Sequence, residues 1–465
     1  MSNPSAIGIL ASAGLPAQVV ADWLATEPKG TVDFSSDQRA YGAFWNEGAR
    51  FISALPKKPS RSAAERAAAE AILSVTRGAR DRFLAAHTRA LYDALTAGRT
   101  RFVRIEELVF LAADAVPGLV PSRQEVAIEA ALNQGDKDGV EIDQGLFVAR
   151  VLADELAGSH LCHAMLLPRA ESVEAASRFA ADGSLDLGAA RLERQGRIIH
   201  FIATNPRFLN AEDDTTLDAA EIATDVAILD PASDIVVMRG GPVEHPKYRD
   251  RRIFGAGINL THLYRGAIPY LWFLRRDLGF VHKIYRGVAR PDVFPDDANG
   301  CGIEKPWVAA VDAFAIGGHC QLLLVMDYVI AASDAFMTLP ARKEGIIPGL
   351  ANLRLPRFVG DRLARQAIQL ERRLLCDSPE GRLICDEIVP PQDMVASIEG
   401  VVADLTGAGA VGAIGNRRAL RLGQEPIDLF RRYMALYTRE QAFCHYSPAL
   451  IANLERNWAA QSRRI

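Results

Sequence analysis

The chain has 465 residues, 49% of them hydrophobic, and a net charge of −4, so it is long and apolar enough for more than one packed unit. No basic block occurs, which argues against nucleic acid as a partner. No basic segment precedes the short apolar run near the N-terminus, and no apolar run reaches transmembrane length. We therefore expect a cytoplasmic protein without a membrane partner.

The cysteines are scattered along the sequence. No CxxC pair and no cluster of cysteine and histidine at metal-binding spacing occurs, so reduced thiols are favoured over disulfides or zinc. The six are Cys162, Cys301, Cys320, Cys376, Cys385 and Cys444. The sequence thus predicts no metal centre.

Residues 1–190 have the composition of an α-helical N-terminal domain. Residues 62–97 are rich in Ala, Leu, Arg and Glu, with apolar residues three and four positions apart, as in an amphipathic helix. Residues 104–115 and 143–164 continue the helical pattern, and residues 119–122 are typical of a linker into another helix.

From about residue 191 the pattern changes to alternating strands and helices, which is typical of an α/β fold. We predict strands at 197–204 and 235–238 with a helix at 214–230 between them. This central domain is expected to extend to residue 385. Residues 386–465 are predicted to form a helical C-terminal region.

The stretch 305–350 is the most informative part of the chain. In chain order we predict a buried strand at 307–315, a tight turn at Gly317-Gly318, a helix at 320–326, and strands at 327–332 and 334–338. The first N–H groups of a helix have no partner within it, so this turn can bind an anion.

Three segments in order resemble the signatures of the crotonase (enoyl-CoA hydratase/isomerase) superfamily. They are residues 205–211 (NPRFLNA), 252–260 (RIFGAGINL) and 316–349 (IGGHCQ to IIPG). The resemblance spans about residues 195–440. It implies a crotonase-like ββα superhelix core between the two helical regions, an acyl-coenzyme A substrate, and a homo-oligomer built from trimers, such as a hexamer.

The resemblance also implies a substrate site. In the superfamily two backbone N–H groups stabilise a thioester enolate, because fixed donors are in place before the charge forms. The matching residues are Ile258 and Gly318. The residues that the resemblance further assigns to substrate binding are Arg207, Ala256, Gly257 and Asn259.

Two positions depart from the pattern of the hydratases. Gln321 stands where they have one catalytic glutamate, and Ala341 stands where they have the other. Neither side chain can transfer a proton, so water addition is not expected, whereas the enolate-stabilising amides remain.

One branch of the superfamily, found in glycopeptide-antibiotic pathways, fits both the departures and the long helical leader. It implies a dioxygenase without cofactor or metal, which converts a dihydroxyphenylacetyl thioester and dioxygen to the arylglyoxylate and free coenzyme A. Glu212, Arg276 and Gln321 resemble its polar substrate contacts, with Arg276 preferred to Arg275 in the aromatic-rich stretch 262–280. Ile258, Gly318, Gln321 and Arg276 would be catalytic.

Other interpretations stay open. The chain could be an acyl-coenzyme A isomerase or thioester hydrolase with His319 as its base, although a histidine beside such a turn is more often packed. It could also be a non-catalytic coenzyme A-binding assembly module. The N-terminal domain could serve packing and assembly or form a lid. Residues 407–412 (GAGAVG) match GxGxxG but follow a helical pattern, which favours a flexible loop between helices over a dinucleotide site.

Overall fold

The computed structural model describes residues 3–293, 302–407 and 409–463. The N-terminal region is helical, as predicted. Its helices are α1 (Asn3–Ser12), α2 (Ala17–Ala25), α3 (Phe34–Ala54), α4 (Ala63–Leu95), α5 (Ile105–Ala115), α6 (Arg123–Ala130), α7 (Glu141–Ala153), α8 (Glu155–Leu166) and α9 (Ala170–Asp182).

Side-chain caps set several helix ends. Helix α4 begins with a capping box, in which the Ser62 side chain accepts from the Glu65 N–H and the Glu65 carboxylate accepts from the Ser62 N–H. The helical pattern predicted over 143–164 is confirmed, and it is divided between two helices, α7 and α8. The chain is extended at Asp154, whose carboxylate accepts from the N–H groups of Leu156 and Ala157 and so starts α8.

The central region contains two sheets. The larger has the strand order β1-β2-β3-β4-β5-β7-β10, antiparallel from β1 to β3 and parallel thereafter, and the smaller has the order β6-β8-β9. The strands are β1 (Ser184–Asp186), β2 (Ala190–Gln195), β3 (Ile198–Ala203), β4 (Ile235–Gly240), β5 (Trp307–Val311), β6 (Phe314–Ile316), β7 (Tyr328–Ala332), β8 (Phe336–Thr338), β9 (Leu374–Leu375) and β10 (Glu387–Val389). The first strand of the large sheet thus begins at Ser184, before residue 191, where the sequence predicts the central domain to start.

The prediction of one strand over 307–315 is wrong. The chain leaves the large sheet after Val311 and enters the small sheet at Phe314. Between them Asp312 accepts hydrogen bonds from the guanidinium of Arg239 on the neighbouring strand β4, with Nε at 2.8 Å from Oδ2. This ion pair lies where the backbone changes sheets.

The remaining helices surround the sheets and form the C-terminal region. They are α10 (Leu217–Leu229), α11 (Leu260–Tyr264), α12 (Tyr270–Arg275), a π-helical turn (Arg276–Phe280), α13 (Val281–Arg286), α14 (Gly318–Leu323), α15 (Ala341–Glu344), α16 (Ala351–Leu370), α17 (Met394–Gly407), α18 (Ala410–Gln424), α19 (Ile427–His445) and α20 (Pro448–Trp458). Helix α14 starts at Gly318 rather than at 320. The GxGxxG match at 407–412 runs from the last residue of α17 into the first turn of α18, and its Ala408 lies outside the described residues.

The C-terminal region packs back against the N-terminal helices. Phe430, Met434 and Tyr437 of α19 share one buried apolar cluster with α4, α7 and α12. The guanidinium of Arg431 donates to the backbone oxygens of Leu152 and Ala153 at the end of α7. Residues of α12, the π-helical turn and α19, which are far apart in sequence, therefore meet in one buried cluster.

Among the described residues, no single helix is long and apolar enough to cross a membrane. Two consecutive helices, Pro391–Gly407 and Val411–Gln424, have the length and apolar composition of a membrane span only when they are taken together. They are bent by 91° relative to each other.

Candidate active site

A cavity lies between the Gly317-Gly318 turn, α12, α15 and α19. Trp272, Phe273, Leu339, Ala341, Ile346 and Ile347 give it apolar walls. Its polar side chains are Glu212, Arg276, Asp277, Gln321, Glu344 and Tyr437.

Two backbone N–H groups at this cavity, those of Ile258 and Gly318, have no hydrogen-bond acceptor among the described residues. The N–H groups of the two preceding residues, in contrast, have acceptors. The N–H of Gly257 donates to Nδ1 of His319 at 3.2 Å, and the N–H of Gly317 donates to the Thr338 oxygen at 2.9 Å. The two unpaired amides are the ones that the sequence assigned to enolate stabilisation.

A side chain at residue 318 would not fit. A Cβ there would lie 2.1 Å from Oε2 of Glu212 and 2.9 Å from Nη2 of Arg276. Gly257 has φ +81°, and a Cβ there would lie 3.0 Å from the Ile316 oxygen. Both glycines let the two segments approach closely enough to direct their amides into one cavity.

Arg276 connects the polar side chains of the cavity. Its Nε donates to Glu212 Oε1 at 2.8 Å, and its Nη1 donates to Asp277 Oδ1 at 2.9 Å and to Gln321 Oε1 at 3.0 Å. Its Nη2 donates to the Gly318 oxygen at 2.8 Å. Burial opposes its charge, but the carboxylates of Glu212 and Asp277 outweigh burial and raise the pKa of Arg276.

The π-helical turn determines which arginine faces the cavity. Arg276 begins this turn and is 3% exposed. Arg275 forms an ion pair with the carboxylate of Asp218, outside the cavity. π-helical turns are frequent at functional sites because the extra residue redirects a side chain.

The other predicted binding residues have different surroundings. Asn259 is buried and caps α11, accepting from the N–H of Thr261 at 3.1 Å and donating to Asp213 at 2.9 Å. Arg207 is exposed, with its guanidinium 5.3 Å from the Phe208 ring centre. Neither these two side chains nor Ala256 lines the cavity.

His319 holds the Ile258 segment in position. Its Nδ1 accepts from the Gly257 N–H and lies 4.0 Å from Oε2 of Glu212. Burial lowers the pKa of His319 to about 4, so the ring is neutral at pH 7. A neutral imidazole whose Nδ1 already accepts a backbone hydrogen bond is a poor general base.

Sequence reasoning missed three polar residues of the cavity. Asp277 directly follows Arg276, and burial raises the pKa of its carboxyl. Glu344 lies three residues after Ala341, where a search of the 316–349 segment for carboxyl groups could have found it. Tyr437 comes from α19, about a hundred residues away in sequence, and no local pattern indicates it.

A second cluster lies beside the site. Asp213, Asp214 and His262 place their potential metal-ligand atoms within 4.8 Å of one another, a grouping that sequence spacing did not suggest. Nδ1 of His262 lies 2.7 Å from Asp214 Oδ1, and Oδ2 of Asp213 accepts from the Asn259 side chain. These contacts support the loop that carries Ile258.

The ββα core and the paired amides define a site of the crotonase class. Residues 292–410 match the family model described as enoyl-CoA hydratase/isomerase. The chain is 46% identical over 428 residues, 92% of its length and 97% of the relative's, to the (3,5-dihydroxyphenyl)acetyl-CoA 1,2-dioxygenase of Amycolatopsis orientalis. The chain therefore belongs to the crotonase (enoyl-CoA hydratase/isomerase) superfamily.

More distant relatives match a smaller share of the chain. A crotonyl-CoA hydratase of Syntrophomonas wolfei is 24% identical over 50% of this chain and 82% of its own length. The crystal structure of an enoyl-CoA hydratase/isomerase from Xanthobacter autotrophicus is 21% identical, covers 60% of this chain and 97% of that one, and superposes with a TM-score of 0.49.

Proposed function

We propose that this protein is a cofactor-independent dioxygenase. It converts (3,5-dihydroxyphenyl)acetyl-CoA and dioxygen to (3,5-dihydroxyphenyl)glyoxylate and free coenzyme A. The observation that carries this proposal is the cavity in which the unpaired amides of Ile258 and Gly318 occur with Gln321 and Ala341 at the two positions of the hydratase carboxylates. Such a cavity suits an enolate but not the addition of water. The name of the 46% identical relative supports the same reaction.

The first chemical step forms the enolate. The thioester carbonyl and the aryl ring delocalise the charge of the carbanion and so acidify Cα, and loss of its proton leaves negative charge on the thioester oxygen. The N–H groups of Ile258 and Gly318 donate to that oxygen in a cavity with largely apolar walls, where fixed dipoles act strongly.

The enolate then reacts with dioxygen. It transfers one electron to dioxygen, and the two radicals combine into a peroxide at Cα. The terminal peroxide oxygen attacks the thioester carbonyl carbon and expels the coenzyme A thiolate. Cleavage of the O–O bond with loss of the second Cα proton gives the keto acid, so both oxygen atoms enter the product.

Glu212 and Arg276 suit the recognition of ring hydroxyls. Oε2 of Glu212 is buried without a hydrogen-bond partner, and a phenolic O–H would satisfy it. Arg276 fixes the other oxygen of that carboxylate and the Gln321 side chain. The amide N–H₂ of Gln321 is then available to donate to a substrate or peroxide oxygen.

The proposal also covers the oligomeric state, the cellular compartment and the pathway of the protein. We propose a cytoplasmic homo-oligomer built from trimers, such as a hexamer, within a glycopeptide-antibiotic pathway. Large apolar side chains of the C-terminal region are exposed, as expected of a surface that another copy covers. They include Val395, Val411, Leu420, Leu422, Leu429, Leu436 and Phe443. Sedimentation of a single 50.6 kDa species at micromolar concentration would refute the oligomer.

An oxygen electrode tests the proposed reaction. Purified protein treated with chelator, without added flavin, nicotinamide or metal, should consume one dioxygen for each coenzyme A released from the arylacetyl thioester. Coenzyme A release without oxygen uptake would identify a thioester hydrolase instead. Thioester binding without any turnover would identify a non-catalytic module.

A further inference from the structure

Glu344 is a carboxyl group of the cavity to which the mechanism above gives no role. It ends the short helix α15 and is 9% exposed. Its side chain lines the same cavity as the amides of Ile258 and Gly318. Among the described residues, its carboxyl has no hydrogen-bond or ion-pair partner.

The other titratable groups of the cavity are already engaged. Glu212 and Asp277 both accept hydrogen bonds from the guanidinium of Arg276, at 2.8 and 2.9 Å, so each carboxyl group is already paired with a cation. Burial raises the pKa of Tyr437 well above its ordinary value, so its phenol keeps its proton. Of the carboxyl groups that line the cavity, Glu344 is therefore the one that forms no ion pair with a cation.

We propose that Glu344 is the catalytic base that removes the first Cα proton of the arylacetyl thioester. The Cα–H bond breaks, the proton moves to a Glu344 carboxylate oxygen, and the electron pair moves onto the thioester oxygen held by Ile258 and Gly318. Glu344 later returns the proton to the departing thiolate of coenzyme A. The inference rests on the proposed function, since it concerns the same substrate and site.

The surroundings of Glu344 suit a base that works near neutral pH. Burial, together with the negative charge of Glu371, raises the pKa of Glu344 to about 7. Glu371 follows α16 and is itself paired with Lys343, at 2.6 Å. Helix α20 packs against this segment with Leu450 and Asn453 beside Gly345, and the Glu455 carboxylate of α20 accepts from the Tyr264 hydroxyl. Arg276, Asp277, Glu212 and Tyr437 are the charged or titratable groups across the cavity.

Hydrogen exchange without oxygen isolates this step. The full-length protein is incubated anaerobically with (3,5-dihydroxyphenyl)acetyl-CoA deuterated at Cα, and deuterium loss is followed by mass spectrometry. Wild type should exchange the label. Glu344→Gln should exchange at least about 100-fold more slowly with an unchanged thioester dissociation constant, and Glu344→Asp should retain part of the rate. Exchange by Glu344→Gln at the wild-type rate would overturn the inference.

A second variant separates the role of a base from a structural role. Glu371→Gln removes the like charge beside Glu344, so the pH below which exchange falls should move down from about 7 while the plateau rate stays the same. An unmoved pH profile would overturn the inference even if Glu344→Gln failed to fold.

The dioxygenase reaction and the role of Glu344 as the base can be refuted independently of each other. Exchange that depends on Glu344 in a protein that consumes no oxygen would refute the dioxygenase and leave the base in place. Oxygen uptake at the wild-type rate by Glu344→Gln would refute Glu344 as the base and leave the dioxygenase reaction in place.

Discussion

At the residue scale, Arg276 forms most of the polar contacts within the cavity. One guanidinium binds two carboxylates, one amide and one backbone oxygen. A planar fork with several donors can hold four acceptors in fixed directions, whereas an ammonium group acts as a point charge. The identity of this residue therefore matters beyond its charge.

Arg276→Lys should lower kcat by about 100-fold or more, equivalent to roughly 2.7 kcal/mol, because Glu212 and Gln321 lose their fixed orientation. The melting temperature should also fall, since the buried carboxylates of Glu212 and Asp277 lose hydrogen bonds. Arg275→Lys is the matched control and should keep wild-type kinetics. Oxygen-uptake kinetics and thermal melts check both, and full activity of Arg276→Lys would remove Arg276 from the site.

Gln321→Glu should impair oxygenation without creating a hydratase. A carboxylate about 4 Å from the enolate costs about 4 kcal/mol at an effective dielectric of 20, although Arg276 offsets part of this repulsion. Hydration would still lack its second carboxylate at Ala341. Oxygen uptake and crotonyl-CoA hydration are measured together, and undiminished uptake or rapid hydration would contradict the role given to Gln321.

At the element scale, the turn before α14 and the π-helical turn position the site. The Gly317-Gly318 turn presents its second amide to the cavity, and the π-helical turn directs Arg276 rather than Arg275 at it. Both features depend on the close approach of two segments that are distant in sequence.

Gly318→Ala should abolish activity, because its Cβ would lie 2.1 Å from Oε2 of Glu212 and displace the carboxylate or the turn. Gly415→Ala in α18 is the control, since nothing lies within 4 Å of its Cβ. That control should keep activity and gain up to about 1 kcal/mol of stability. Turnover by Gly318→Ala at more than a tenth of the wild-type rate would show that the turn tolerates a side chain.

The sequence predicts the elements that have local signals. The helices of the N-terminal region, the Gly317-Gly318 turn and the alternation of strands and helices follow from periodicity, caps and glycines. The break after Val311 does not, because Asp312 alone interrupts the apolar run, and β5 and β6 separate by pairing with different sheets, which no local pattern indicates. Tyr437 could not be predicted either, since α19 reaches the cavity through its packing on α7 and α12.

At the scale of the whole molecule, buried ion pairs join the N-terminal helices to the central region. Nζ of Lys283 lies 2.9 Å from Glu221 and 2.7 Å from Asp225, and Arg104 before α5 donates to Glu221 at 2.9 Å. Lys283 and Glu221 are fully buried, so removing one partner leaves an uncompensated charge in a medium of low dielectric.

Lys283→Met should lower the free energy of unfolding by about 3–5 kcal/mol at pH 7, as denaturant titration would measure. Burial opposes the charge of Glu221, but Lys283 and Arg104 outweigh it and lower its pKa from 4.5 to about 2. A lowered carboxyl pKa gives stability that is present above pH 4.5 and is lost as the pH falls toward 2. Wild type should show this loss, and the variant should show less of it. Equal pH dependence in both would contradict this assignment.

The most direct test of the central claim is turnover of (3,5-dihydroxyphenyl)acetyl-CoA under oxygen-18 gas by chelator-treated protein, with rapid quenching and mass spectrometry of the product. The proposed mechanism predicts an arylglyoxylate that carries two oxygen-18 atoms, one in the keto group and one in the carboxylate. An unlabelled arylacetate beside free coenzyme A, or a product with a single oxygen-18 atom, would contradict it.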